Sequence, residues 1–424
     1  MDAKQMRQLR GKLRRFLGRF EDCFGRRDTR AHLPVYIKGQ LSDLPDKSVE
    51  PIAVKAGVAP RTLQEFLSQL QWDDDCMRDR VQEIVRDEHA GPHAIGIIDE
   101  TSFVKQGDKT PGVQRQWCGT IGKKENCMVT VHLGYACDDF HCLLDGELFL
   151  PESWSGDRKR CQEAGIPDTM IYRPKWQIAL ELYDRALGNG VIFEWLTFDE
   201  GYGGKPDFLR ELSARRQRFV GEVPRSFTGW LKAPRVVTRP FRHKGRGRGR
   251  KIPRLAAGSR PARRVEELLK QQAFRHQPWQ RWRVKDGEKG PMVWEVKHAL
   301  FYPKDANGLP DAPVHLIVAR DVLSPQEVKF FVSNAPPETP LQPLLLVAFS
   351  RWRVERCFED HKGEVGLDHY EGRRYLGLKR HLALSAVSYL FLARTRKEFG
   401  GGKSGPDRMP STHGDSSVDP LLVA

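Results

Sequence analysis

The sequence predicts an α/β (α+β) protein, a mixed sheet flanked by helices with a helical segment before it and a β-rich insertion within it. Three observations predict this. Short apolar runs at 94–98, 191–198 and 218–223 alternate with amphipathic helical stretches. The first ninety residues carry helical spacing and no strand alternation. Between 225 and 335 a basic, acid-free tract gives way to residues with strand character.

Residues 4–24 form a basic amphipathic stretch with Leu9, Leu13, Phe16 and Phe20 at helical spacing. Ser48 is placed to cap a helix over 49–55, and Gly57 breaks it. Pro60 suits the first turn of the next helix, 60–67. Helix, glycine turn, helix is the helix-turn-helix pattern, and any helical hairpin with a glycine turn shares it. Its second helix would present Arg61, Thr62 and Gln64 outward, residue types that touch phosphates or base edges. A charged helix over 76–87 reads as a connector.

Ala94–Ile98 reads as a buried strand delivering Asp99 at its tip. Strand formers at 114–121 and 127–135, parted by a turn, predict an antiparallel meander, with a short edge strand after Leu143. A helix over 174–187 leads to a buried strand at 191–198 that also ends on a carboxylate, Asp199. A helix at 206–216 and a strand at 218–223 complete the alternation. The tract 225–264 contains Arg242, Lys244, Arg246, Arg248 and Arg250 and suits a nucleic-acid backbone; the competing reading is a solvated loop. Trp279, Trp282 and Trp294 follow among strand formers, suited to core packing or to stacking on a base. Helices return from Leu341 to about Arg396, and the tail from Gly400 has the composition of a disordered segment.

The net charge of +15 points to a polyanionic partner. Eight cysteines without a Cys-x2-Cys pair argue against a zinc ribbon or redox motif and for reduced, buried thiols in a cytosolic protein. The N-terminus lacks a signal-peptide core, and the longest apolar run, 382–393, is too short to span a membrane.

The stretch Ser350–Lys362 contains no proline or glycine and reads as one helix. Arg351, Glu355 and Lys362 then share a face, either a solvated salt-bridged face or part of an anion and metal site. Asp99, Asp199 and Glu355 supply hard oxygen donors of the kind that bind Mg2+ or Mn2+. Two such ions serve phosphodiester chemistry. Glu100 and Glu200, as neighbours of the aspartates, should point elsewhere.

These residues resemble bacterial insertion-sequence transposases of the DDE superfamily. The resemblance rests on Ile97-Ile-Asp-Glu-Thr-Ser102, Thr197-Phe-Asp-Glu-Gly-Tyr202, Arg351-Trp-Arg-Val-Glu355 through Lys362, and Gly366–Arg373 leading into Arg380–Leu384, across roughly residues 90–395. It implies an RNase H-like, five-stranded mixed sheet. It implies a triad of Asp99, Asp199 and Glu355 holding two Mg2+ or Mn2+ ions. Arg351 and Lys362 would match the basic residues of the Tyr-Arg-Glu-Lys signature, on phosphates at the element end. The signature's tyrosine position holds Ala348 here. The implied activity is binding of insertion-sequence ends, strand cleavage and strand transfer in a cut-and-paste reaction. The implied partners are double-stranded DNA (terminal inverted repeats and target) and a second copy in a homodimer, in a cytoplasmic, nucleoid-associated setting. The implied domains are 1–90 for DNA binding, 91–224 and 336–398 for the catalytic core, 225–335 for the insertion, and 399–424 for the tail. The alternatives are an inactive transposase-derived DNA-binding protein and a nuclease without strand transfer.

Overall fold

The computed structural model describes residues 3–238, 252–287 and 290–399. The chain begins with helices α1 (Ala3–Gly18), α2 (Arg27–Arg30), α3 (His32–Gln40), α4 (Val49–Ala56), α5 (Pro60–Ser68) and α6 (Asp74–His89). Gly57 ends α4 in the left-handed region at φ 69°, and Pro60 opens α5. Ser48 does not cap α4 through its side chain; its hydroxyl bonds Asp46 instead. The cap that forms is on α6, where Asp73 accepts from the Cys76 amide. Nor is α6 a mere connector. Its Arg78 is buried and donates two bonds, at 2.6 and 2.9 Å, to Asp145 of the sheet.

The sheet starts with β1 (Ile95–Val104), β2 (Gln114–Cys118), β3 (Lys123–Cys137) and β4 (Phe140–Leu148). Short helices α7 (Glu152–Ser155) and α8 (Arg158–Glu163) lead to α9 (Lys175–Gly188). Then come β5 (Trp195–Phe198), α10 (Glu200–Gly203), α11 (Pro206–Ala214) and β6 (Phe219–Val223). β1 lies between β3, antiparallel, and β5, parallel; β6 continues parallel beyond β5, and β4 and β2 share the far edge of β3. The order β4-β3-β1-β5-β6 is the RNase H-like mixed sheet. The meander differs from expectation: the first strand pairs with β3, and β2 sits outside it.

The insertion supplies β7 (Thr228–Trp230), β8 (Val236–Val237), β9 (Arg254–Leu255), β10 (Arg263–Arg264), α12 (Val265–Leu268), α13 (Gln272–Arg275), β11 (Gln280–Gly287), β12 (Gly290–Pro303), β13 (Val314–Asp321) and β14 (Val328–Ser333). Its strands β8 and β9 form a small sheet of their own, but the rest join the core, because β14 pairs with β6 and carries the core sheet on into twelve strands. Trp294 is buried against Phe349, and Trp279 and Trp282 pack partly buried on the core, so packing accounts for all three.

Helices α14 (Leu341–Ala348), α15 (Trp352–Val365) and α16 (Tyr375–Phe399) close the chain. The helix expected at 350–362 is α15, starting at 352; a 3-10 turn at 349–351 separates it from α14, so Ala348 ends α14 and does not share a helix with Glu355. α16 joins the N-terminal helices to the core. Its buried Arg380 donates to the carbonyls of Leu70 and Trp72 at 2.8 Å, and Ser385 and Ser388 both meet Gln40 at 2.8 Å. No described helix is long and apolar enough to cross a membrane.

Burial also makes the fold acid-sensitive. It pushes His132 and His361 down to about 3 and His381 to about 4. All three stay neutral in the fold, whereas an unfolded chain protonates them near pH 6.5. Their contribution is therefore present above pH 6.5 and lost as pH falls toward 4. Asp99 opposes them: burial raises it to about 7, so between pH 4 and 7 the folded chain holds a proton that the unfolded chain has released. Burial lowers His89, His141 and His298 to about 4 as well, so the depressed histidines outnumber Asp99 and the fold loses stability as pH falls below 6. Urea midpoints at pH 7 and pH 5 check this; equal midpoints contradict it.

Candidate active site

The parallel register between β1 and β5 runs Ile95↔Trp195 to Ile98↔Phe198. The next residue on each strand is an aspartate, so Asp99 and Asp199 follow the same rung. They are presented differently. Asp99 is not at a strand tip: β1 continues to Val104 because β3 pairs with it throughout, and Asp99 lies in the middle of the strand, 8% exposed. Asp199 does leave its strand and caps α10, accepting from the amides of Gly201 (2.9 Å) and Tyr202 (3.3 Å).

Strand alternation separates Asp99 from Glu100. Asp99 faces α15, as does its cross-strand partner His132, which meets Phe358 edge-on. Glu100 turns to the other face and pairs with Lys175 at the start of α9. The Tyr202 hydroxyl donates to Glu100 at 3.3 Å.

Arg351 connects the third carboxylate. One guanidinium nitrogen lies 3.0 Å from Asp99 Oδ2 and another 2.9 Å from Glu355 Oε1. Burial disfavours its charge, but Asp99, Glu355 and Asp199 more than compensate and hold it cationic. Burial dominates at Asp99 and pushes its carboxyl to about 7; Arg351 draws it down and Asp199 pushes it up. Glu355 lies in the first turn of α15, with its side chain 55% exposed. The arrangement is a buried acid, a capping acid and an exposed acid around one arginine. Lys362 sits further along α15, donating to Thr120 Oγ1 at 2.9 Å and toward the Ser102 carbonyl at 3.4 Å. Burial lowers its pKa.

The remaining expected residues lie apart from this cluster. Arg61 is on the exposed face of α5, paired with Glu65 at 2.7 Å. Arg242, Lys244, Arg246, Arg248 and Arg250 lie outside the described residues. Oxygen donors of Asp99, Asp199 and Glu355 suit a hard cation. Their ligand atoms are not all within 4.8 Å of one another; among the described residues only Asp22, Cys23 and Cys76 meet that spacing. The Cys23 and Cys76 sulfurs are 2.8 Å apart, a pair that a search for Cys-x2-Cys misses because 53 residues separate them.

A family model described as DDE superfamily endonuclease matches residues 19–291. The chain belongs to the DDE superfamily endonucleases. The matched span of this endonuclease includes Asp99 and Asp199 and ends before Glu355. The chain is also 33% identical over 206 residues to a probable transposase for insertion sequence element IS701 from Microchaete diplosiphon. That alignment covers 46% of this chain and 51% of the relative, so the match spans about half the length of the curated relative. The crystal structure of the NurA nuclease from Sulfolobus solfataricus aligns over 63% of this chain and 83% of its own, at 11% identity and a TM-score of 0.23, and contributes nothing to the argument.

Proposed function

We propose that this endonuclease is an insertion-sequence transposase whose phosphodiester chemistry is carried by Asp99, Asp199 and Glu355. The observation that carries the reading is the shared rung after Ile98 and Phe198, with Arg351 tying Asp99 to Glu355. The donor chemistry fits a divalent cation: three carboxylates supply hard oxygen donors, and Arg351 is the counter-charge bonded to two of them. Asp99, Asp199 and Glu355 would hold Mg2+ or Mn2+, as two ions in the full reading. When bound, such ions activate the attacking oxygen and neutralise the leaving one.

The chain's own residues prepare the site for that chemistry. Asp99, whose carboxyl burial raises to about 7, would hold a cation in its deprotonated form, and Arg351 would then be free of it. Asp199 is aimed by the two amides of α10. Arg351, released from Asp99, meets the scissile phosphate with a bidentate-capable fork. Lys362 holds α15 against β1 through Thr120 and Ser102 and adds positive charge beside the DNA path. The helical segment 1–90 contacts DNA through α4 and α5, whose Arg61 and Gln64 face solvent while Leu63, Phe66 and Leu67 are buried. Arg242, Lys244, Arg246, Arg248 and Arg250 supply a further backbone contact in the insertion. Segments 91–224 and 336–398 form the catalytic core, and two copies pair the element ends. The test is an assay of full-length protein with element-end DNA and a target plasmid, with Mg2+ or with a chelator. Cleaved ends and joined products that vanish with chelator support transposition. Cleavage without joining leaves a nuclease, and neither product overturns the reading.

A further inference from the structure

The β2–β3 hairpin presents an aromatic and basic face that the triad does not use. Trp117 is 61% exposed, and Ile121 at the turn is 42% exposed. An exposed indole offers a partner a large, flat apolar surface with a polar N–H edge. Register defines its surroundings. Trp117 pairs directly with Lys124, and Arg115 with Asn126, so these four side chains share one face of the hairpin. The opposite face sends Cys118 into a small cluster with Cys127 and Val129. Arg115, Lys123 and Lys124 are all exposed, and the acidic residue nearby, Glu125, lies 3.9 Å from Lys123.

The hairpin is fixed relative to the triad. Its turn folds onto β1 through Thr120, whose amide donates to Ser102 Oγ at 3.2 Å and whose hydroxyl donates to the Ser102 carbonyl at 2.7 Å. Gly122 makes the turn at φ 65°. Lys362 of α15 bonds the same Thr120. Ser102 is three residues beyond Asp99 on one strand, roughly 10 Å at about 3.3 Å per residue. Trp117 itself lies further out, since its partner Lys124 is eight residues along β3 from His132, the partner of Asp99.

We propose that Trp117 is a stacking platform for an unpaired base of the DNA that the site engages, with Arg115 and Lys124 on the flanking phosphates. The proposal rests on the endonuclease site proposed above. Charge selects the occupant. A flat aromatic ring ringed by cations suits a nucleobase on a phosphate backbone, because every base offers a π-face and every linkage a negative charge. A platform on this hairpin would hold an opened strand splayed while the carboxylates act.

The experiment uses the full chain and Trp117→Ala, with Trp117→Phe as a second variant, in a buffer with chelator so that no cleavage intervenes. The probes are element-end duplexes carrying 2-aminopurine at successive positions outward from the cleavage site, either fully paired or with those nucleotides unpaired. Wild type is expected to quench the probe at one position and to bind the unpaired end more tightly. Trp117→Ala is expected to lose the quenching and about 5- to 100-fold of that affinity, and Trp117→Phe to keep most of both. Equal affinity and equal quenching in wild type and Trp117→Ala overturn the proposal. So does a Trp117→Ala protein that binds DNA normally but no longer dimerises by sedimentation, since the face then serves a second copy of the chain. Wild type that quenches the probe but fails to cut when Mg2+ is restored leaves the platform standing and removes the endonuclease reading instead.

Discussion

Asp199→Asn, Asp99→Asn and Glu355→Gln are each expected to lower cleavage of element-end DNA by a factor on the order of 10³ or more, corresponding to loss of about 4 kcal/mol of transition-state stabilisation. Amides are the informative replacements because each preserves the local structure while removing the charge. At Asp199 an asparagine oxygen still accepts from the Gly201 and Tyr202 amides, so the α10 cap survives. Alanine there would add a capping loss of about 1 kcal/mol and blur the result. At Asp99 burial already raises the carboxyl to about 7, so a neutral group costs the fold little. Glu355 is exposed enough that Gln changes nothing structural. DNA binding, measured by gel shift, is expected to persist in all three. Substantial Mg2+-dependent cleavage by any one of them removes that residue from the site.

Gly203→Ala carries the second large effect, through packing. Gly203 ends the single turn of α10, and an added Cβ there would lie 1.9 Å from the Glu222 carbonyl oxygen and 2.9 Å from its carbon. These are backbone atoms of β6, which is paired on one side with β5 and on the other with β14 and cannot retreat. The clash therefore displaces α10, and with it Asp199 at its cap. The expected cost is about 3 kcal/mol in urea unfolding, with cleavage reduced by more than the stability loss explains. Gly188→Ala is the control: a Cβ there meets nothing within 4 Å, and stability should hold or rise slightly. Wild-type stability in Gly203→Ala would mean that α10 is not pinned to β6.

What could be read from the sequence was the local part of this design. The apolar runs before Asp99 and Asp199 marked both strands, and the glycine and proline at 57 and 60 marked α4 and α5. What could not be read depended on partners far along the chain. Glu100-Thr-Ser-Phe-Val104 looks like a polar exit from a strand, yet β3 pairs with every residue of it. The break at 349–351 has no glycine or proline to announce it. It sits where Phe349 packs on Trp294 and Phe331, at 4.9 and 5.5 Å between ring centres, so packing against the insertion interrupts a locally helical sequence. The insertion looked like a separate module because nothing local reveals that Phe330 to Ser333 would pair with β6. Arg351 was expected to face phosphate; its i, i+4 spacing shows the pair with Glu355, but nothing local shows that it also bonds Asp99.

The central claim is that Asp99, Asp199 and Glu355 gather one divalent-cation site, and peptide-backbone cleavage by bound Fe2+ tests it most directly. Ferrous ion substituted for Mg2+, with ascorbate and peroxide, cuts the chain next to its ligands, and the fragments are located by mass spectrometry. The account predicts cuts clustered beside residues 99, 199 and 355, suppressed by excess Mg2+ and lost in Asp99→Asn. Cuts confined to the neighbourhood of Cys23 and Cys76, or cuts that Mg2+ does not suppress, would contradict it.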